Sequence, residues 1–402
     1  PQVFHQRDIG GASGDLQAAE QVFADHTMKL RTAGNLPDAI GTTAVLADIR
    51  LALGRLQGAI GAVEQCLHFV LEQGRPIPLD TADLYRVLSE LVLEQGKLEA
   101  AAQHLQKAKE LGEKTQLPVL YYRLRIAQAR LQQTEGDLDG ALVLLSEAER
   151  LHIRSPLPDF CPISVMKVRI WVAQGKLSQA LAWVRERGLS PDDELCYLHE
   201  FEHITLARIL IARYKTDRVE GDLHAALGLL DRLLQAAEAA SRMGSVLEIL
   251  IVQSLARQAQ GDVPSALTSL ERALTLAEPE GYVRIFVAEG EPMRLLIAGC
   301  GLLIADRPLD AYIKRLLQAF PQAQPTPIRT PQSELRNLIE PLSERELDVL
   351  RLLRSELNGP EIARELMVSL STVRTHTQNI YAKLGVNNRR AAIHRAEEFD
   401  LL

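Results

Sequence analysis

Apolar residues recur at helical spacing along most of the chain, and one short pattern punctuates them: glycine, any residue, leucine or valine, any two residues, alanine. The glycines are Gly14, Gly54, Gly96, Gly136, Gly175, Gly221 and Gly261, in steps of 40, 42, 40, 39, 46 and 40 residues. After each alanine, apolar positions continue on one helical face, as with Leu142, Leu145 and Ala148, or Leu267, Leu270 and Ala273. The pattern predicts a repeated pair of helices. Glycine ends the first helix in the left-handed conformation that other residues adopt at a steric cost. Leucine or valine packs beneath the turn, and alanine lets the helices approach closely. Such pairs bury their apolar faces only by stacking on neighbours, which predicts a superhelical solenoid with a concave binding face. The 46-residue step contains the polar stretch 215–220, read as an extended turn.

The turn resembles that of a tetratricopeptide repeat, although the period is longer than that family's roughly 34 residues. Gly14 lies so close to Pro1 that little room remains for a preceding helix, and the chain starts with proline rather than methionine. The expectation is a polypeptide cut from a longer protein inside a repeat. After the last repeat come a short apolar run from Gly281 to Val287 and two helix candidates, near 291–299 and 308–320, read as a cap for the solenoid. Pro321, Pro325, Pro327 and Pro331 then exclude a continuous helix. The expected organisation is solenoid 1–280, capping helices 281–320, linker 321–340 and a C-terminal domain 341–402.

Composition agrees with an all-α chain: 47% of residues are apolar but only 4% aromatic, and leucine and alanine dominate. No apolar run is long enough to span a membrane. Cys66, Cys161, Cys196 and Cys300 are widely spaced, which argues against a disulfide framework and for a cytoplasmic location. The net charge of -7 at first speaks against nucleic acid.

Position changes that picture. Between Ser369 and Ala396 there is no acidic residue, against Arg374, Lys383, Arg389, Arg390 and Arg395. Ser343 and Glu346 form a capping-box pattern, Asn358 opens a second helix with Pro360 in its first turn, and Ser369 caps a third running to about Leu384. Gly385 stands at its end, and Asn388 can cap a fourth helix reaching about Glu398. Two short helices and a longer polar one match a DNA-reading helix-turn-helix.

The residues Leu342 to Leu350, Glu361 to Ala363, Val368 and Ser369, Ser371 to His376, Asn379 to Val386, and Asn388 with Arg389 resemble the LuxR-type DNA-binding domain over essentially all of 341–402. Joined to a solenoid of roughly 40-residue units, the chain resembles the large ATP-binding, MalT-like LuxR-type regulators. The resemblance implies a nucleotide-binding domain ahead of the solenoid. The chain holds no phosphate-binding loop, because the Gly-Lys pairs at 96 and 175 lack both the upstream glycine and the following hydroxyl. No cofactor is therefore expected here, and ATP only for a part ahead of Pro1.

By the same resemblance, base contacts fall to Arg374, Thr375 and Gln378. Arg374 suits guanine, Gln378 adenine, and the Thr375 methyl thymine. Ser369, Thr372, His376, Asn379, Lys383, Asn388 and Arg389 suit phosphate, while Val373, Ile380 and Leu384 read as core. Gly359 and Pro360 stand where the family usually has Asn-Lys, and Asn387 replaces a common basic residue, which weakens the expected non-specific affinity.

One competing motif is His199-Glu200-x-x-His203, the spacing of a zinc hydrolase with two histidine ligands and a glutamate base. Tyr121, Tyr122, Trp171 and Trp183 read either as a ligand surface or as core. The leading reading is a sequence-specific transcriptional regulator, an activator. Double-stranded DNA, a second copy of itself, RNA polymerase and an unidentified effector are the expected partners, with no membrane. The alternatives are a repeat scaffold for protein partners and, more remotely, the zinc hydrolase.

Overall fold

The computed structural model describes residues 15–72, 77–114, 117–151, 161–303, 309–321, 343–355, 357–366, 368–384, 386, 388, 389, 392, 393 and 396. Among them are nineteen α-helices, one 3-10 turn and no strand. The chain divides into two units, Pro1–Pro321 and Gln322–Leu402.

In the first unit, α1 (Leu16–Thr32) is the second helix of the pattern at Gly14, which lies outside the described residues. Six pairs follow: α2 (Leu36–Ala52) with α3 (Leu56–Glu72), α4 (Thr81–Glu94) with α5 (Leu98–Gly112), and α6 (Pro118–Glu135) with α7 (Leu138–Arg150). Then come α8 (Ile163–Ala173) with α9 (Leu177–Arg187), α10 (Glu200–Asp217) with α11 (Glu220–Ala239), and α12 (Met243–Gln260) with α13 (Val263–Ala277). α14 (Arg284–Val287), α15 (Glu291–Leu303) and α16 (Asp310–Ala319) complete the unit. Phe286, Met293, Ile297, Tyr312 and Leu316 of these last helices are buried in the same core as α11 to α13.

The turns follow from the pattern. Gly54, Gly96, Gly136, Gly175 and Gly261 all have positive φ, between 71° and 89°. The residue after the glycine caps the second helix where its chemistry allows: Asp15, Asp137 and Asp262 each accept the amide three residues on, at 2.9, 2.9 and 3.1 Å. Lys97 and Lys176 in the same place make no side-chain cap. Ala59, Ala101, Ala141, Ala180, Ala226 and Ala266 are completely buried between their helices.

Three readings need correction. Gly221 lies inside the first turn of α11, and Arg218 takes the left-handed conformation instead, at φ 56°. Its guanidinium lies 5.5 Å from the centre of the Tyr214 ring, a contact that offsets part of the cost of a non-glycine residue there. The stretch 215–220 is not an extended turn, because α10 runs on through Asp217 and α11 begins at Glu220. Val263 does not pack beneath its turn but is 44% exposed. The structure also adds a turn of the same type between α1 and α2, at Gly34, with φ 73° and Asn35 as the cap.

Along most of the unit the first helices of successive pairs lie beside one another, α2 with α4, α4 with α6, α8 with α10 and α10 with α12, and two charged rows run across them. Asp48, Glu90, Arg130 and Arg169 each stand six residues before a glycine of the repeated pattern, and Asp83, Arg123, Arg208 and Glu248 thirteen before one. Seven residues make about two helical turns, so both rows share a face. They pair across helices: Arg123 with Asp83 at 2.6 Å, Arg130 with Glu90 at 2.8 Å, Arg169 with Glu248 at 2.6 Å and Arg208 with Glu248 at 3.1 Å. The first helices are thus tied to one another by ion pairs. The superhelix also closes one turn, since α12 meets α2 and the α13–α14 turn meets the α4–α5 turn.

In the second unit, α17 (Glu344–Leu353), α18 (Gly359–Glu365) and α19 (Leu370–Leu384) enclose Val349, Leu350, Leu353, Ile362, Ala363, Val373 and Ile380. Residues 389, 392, 393 and 396 are helical, and Ala392 and Ala396 join that core. The linker from 322 to 340, Gly385, Asn387, Arg390, His394, Arg395 and the tail from 397 lie outside the described residues.

Candidate nucleic-acid interface

Two capping boxes set the geometry of the second unit. The Glu346 amide donates to Ser343 Oγ at 3.3 Å while the Ser343 amide donates to the Glu346 carboxylate at 2.7 Å. Asn358 and Glu361 repeat the arrangement at 3.1 and 2.7 Å. Ser369 caps α19, its Oγ accepting the Thr372 amide at 3.1 Å. These caps fix where α18 ends and α19 begins, and therefore which side chains α19 presents.

At about 100° per residue, α19 has three faces. Val373 and Ile380 face inward and are buried. Ser371, Arg374, Thr375 and Gln378 share the opposite side, and all four are exposed. Arg374 and Gln378 have no hydrogen-bond or ion-pair partner among the described residues, so their polar ends are free for a ligand. The Thr375 hydroxyl donates back to the Ser371 carbonyl at 3.1 Å, which leaves the methyl as the outward group. Ser371 was not singled out from sequence. Its place three residues before Arg374, on the same face, was the available signal.

Thr372, His376 and Asn379 flank this face. Asn379 is exposed, Thr372 and His376 are half-buried, and His376 Nδ1 is enclosed without a hydrogen-bond partner. Lys383 lies in the last turn of α19, with its side chain outside the description. Ser369 Oγ also lies 2.7 Å from both Ser371 Oγ and Thr372 Oγ1, so a cluster of hydroxyls surrounds the helix start. Asn388 is exposed.

Arg389 has another task than the phosphate contact expected of it. Its guanidinium donates to the carbonyls of Leu353, Leu357 and Ser355 at 2.8, 2.7 and 2.5 Å. The Leu353 carbonyl at the end of α17 lacks a helical partner and lies at the negative end of its dipole, and those of Ser355 and Leu357 belong to the turn that follows. Arg389 satisfies them and ties the start of the last helix to the α17–α18 turn.

The zinc-like motif does not assemble. Glu200 is 5% exposed and pairs with Arg242, itself 6% exposed, at 2.5 Å. His199 Nδ1 meets Glu202 at 2.6 Å, and His203 donates Nδ1–H to the His199 carbonyl at 2.9 Å. Among the described residues, no three His, Cys, Asp or Glu side chains are placed to hold a metal. Trp183 is buried and Trp171 packs against the same core, while Tyr122 packs against the core of α7 and α8. Tyr121 is half-buried.

Residues 10–299 match the family described as the MalT-like TPR region. The chain belongs to this MalT-like family. Residues 340–396, which include all of α17 to α19, match the bacterial regulatory proteins of the luxR family. Among curated relatives, the HTH-type transcriptional regulator MalT of Klebsiella pneumoniae is 27% identical over 387 residues, covering 88% of this chain and 40% of the relative. MalT of Yersinia pestis is 25% identical over 368 residues, covering 87% and 40%. The chain thus spans about two fifths of the length of these relatives. A crystal structure of a Rap protein complexed with competence and sporulation factor aligns over 90% of this chain and 96% of its own, at 10% identity and a TM-score of 0.41.

Proposed function

We propose that the chain is the sensor and DNA-binding part of a transcriptional regulator, acting as an activator in the cytoplasm. The observation that carries this reading is the α19 face, where Arg374, Thr375 and Gln378 stand exposed side by side with their recognition groups uncommitted. The luxR-family match over the same helices and the MalT names of the relatives support it. A helix of this size enters the major groove of double-stranded DNA, where a guanidinium reads guanine, a carboxamide reads adenine and a threonine methyl meets thymine. Thr372 and Asn379 flank that face, where they suit phosphates.

A second copy of the chain would supply the other half-site, and RNA polymerase and an unidentified effector complete the set of partners. In this reading the solenoid serves effector sensing and assembly, and nucleotide chemistry belongs to sequence outside this chain. The test is selection of binding sites from random duplex DNA with the full chain. A preferred site should emerge, and Arg374→Ala should weaken binding to it by about 1–3 kcal/mol while relaxing preference at one base pair. Binding that shows no sequence preference overturns the regulator reading in favour of a scaffold with incidental DNA contact.

A further inference from the structure

A cavity of about 350 Å³ lies where α5 and α7 pack on α6, a volume at the small end of ligand pockets. In other pairs the corresponding ground is filled or its polar groups are committed. Four residues before the pattern glycine, α4 carries the buried Val92. Arg50 of α2 donates there to Glu20 and to the Gly58 carbonyl, and Arg257 of α12 to the Ser265 carbonyl and to Ser269. On α6 that position is Gln132, which lines the cavity and whose Oε1 is enclosed without a donor.

The charges around the cavity are unevenly spent. Arg125 is committed to Glu147 and to Gln128 Oε1, both at 2.9 Å. Lys109 and Glu135 also line it and are exposed, and neither side chain has an ion-pair or hydrogen-bond partner among the described residues. They stand at opposite ends. A Cβ on Gly112 would fall 3.0 Å from the Leu124 side chain and 3.2 Å from that of Leu120, so Lys109 lies beside the first half of α6, whereas Glu135 is its last residue. From Arg125 to Glu135 the helix rises about 15 Å, and the reach of the two side chains leaves roughly 10 Å between their charges. Leu105, Leu131 and Leu144 supply apolar wall between them.

We propose that this cavity binds a short peptide of about three residues, with both ends free and aliphatic side chains. An anion alone would leave Glu135 unmatched and a cation alone would leave Lys109, whereas a zwitterion answers both. Three extended residues at about 3.3 Å each span the gap, and a single amino acid does not. The ammonium group goes to Glu135, where the negative end of the α6 dipole adds to the carboxylate, and the peptide carboxylate goes to Lys109. Gln128 keeps its amide N–H groups for a peptide carbonyl, and Gln132 has an acceptor to offer a peptide N–H. Such a ligand joins α5 and α7, which belong to different pairs. As the effector of the solenoid it rests on the regulator reading, but its binding is measured without DNA.

The test is calorimetric titration of the full chain with tripeptides of glycine, alanine, valine and leucine. At least one should bind with a Kd below about 1 mM. Blocking its carboxylate as the amide should weaken binding about tenfold or more, and Lys109→Gln should weaken the free tripeptide by the same factor. The amide should bind Lys109→Gln and the parent within about twofold, because block and substitution remove the same contact. Glu135→Gln should stand in the same relation to the N-acetyl tripeptide. Both side chains are exposed, and an unchanged melting temperature shows that each variant keeps the solenoid. Absence of binding for every tripeptide at about 5 mM overturns the site. So does a free leucine that binds as tightly as the tripeptide, and so do variants that weaken free and blocked peptides alike. A preferred DNA site found together with any of these results removes the peptide site and leaves the regulator reading standing.

Discussion

The solenoid and the DNA-binding unit are built with the same devices, but they dispose of their charges in opposite ways. In the solenoid, Arg130, Arg169, Arg208 and Arg242 are held by carboxylates of other helices, and Arg86 by Asp83 and Glu90 of its own. On α19, Arg374 and Gln378 face solvent with no partner among the described residues. A half-buried guanidinium has lost much of its hydration and needs its carboxylate, whereas an exposed one keeps its water until a ligand replaces it. Exposure without a partner, rather than charge alone, therefore separates a reading surface from a framework.

The largest effect that tests this contrast lies at Arg242. Arg242→Ala leaves the Glu200 carboxylate buried without its cation and should destabilise the first unit by about 3–5 kcal/mol, read as a shift of the urea midpoint. Replacing both partners by apolar residues of similar size, Arg242→Met with Glu200→Leu, should recover most of that loss. Arg374→Ala should leave stability within about 0.5 kcal/mol of the parent, as substitutions at exposed positions without structural partners do. An Arg242→Ala protein as stable as its parent removes the distinction between the two regions.

Arg389 sits on the boundary of the contrast, as a cation in the DNA-binding unit that behaves like those of the solenoid. Arg389→Ala should cost about 1–2 kcal/mol in that unit, through the loss of hydrogen bonds to the carbonyls of Leu353, Ser355 and Leu357. Hydrogen exchange of the α17 and α18 amides measures the loss. The salt dependence of DNA binding should keep its slope, whereas loss of a phosphate contact would lower it by about one. A reduced slope with unchanged exchange would return Arg389 to the phosphate.

Arg389 also marks where the sequence stops being legible. Its spacing and charge are those of a phosphate-binding residue, and nothing local reveals that the end of α17, some 35 residues earlier, folds against it. The turns were legible because a left-handed glycine, an N-cap and a buried alanine are local requirements that recur wherever the turn does. Gly34 obeys the same rule and escaped only because it falls at half the repeat interval. At Gly221 the rule failed because the turn moved to Arg218, which the Tyr214 ring supports. The α19 face was legible from helical spacing together with the resemblance to the LuxR-type domain. The closure of the superhelix was not, because Glu94 and Arg284 come together only after four more pairs have fixed its path.

The smallest effect concerns Asp48, the carboxylate of the solenoid rows that the pairing leaves out. The surrounding helices strip its hydration although it keeps access to solvent, and this burial pushes its pKa up to about 6. Arg86 pulls the other way, but Asp83 and Glu90 already hold that guanidinium at 2.6 and 2.5 Å and themselves repel the Asp48 charge. A raised folded-state pKa means that the native protein binds this proton more tightly than the unfolded chain does. The stabilising contribution is complete below the unfolded carboxylate range, near pH 4, and is lost as pH rises through about 6. Asp48→Asn removes the charge but keeps the shape. It should therefore raise stability by up to about 1 kcal/mol at pH 7.5, allowing for solvent screening of an accessible group, and by nothing at pH 4. Urea midpoints at the two pH values measure it. An equal gain at both would mean that the substitution acts through packing rather than charge. A gain confined to pH 7.5 would show that an unmatched charge is penalised in this solenoid row, while Arg374, equally without a partner, is not.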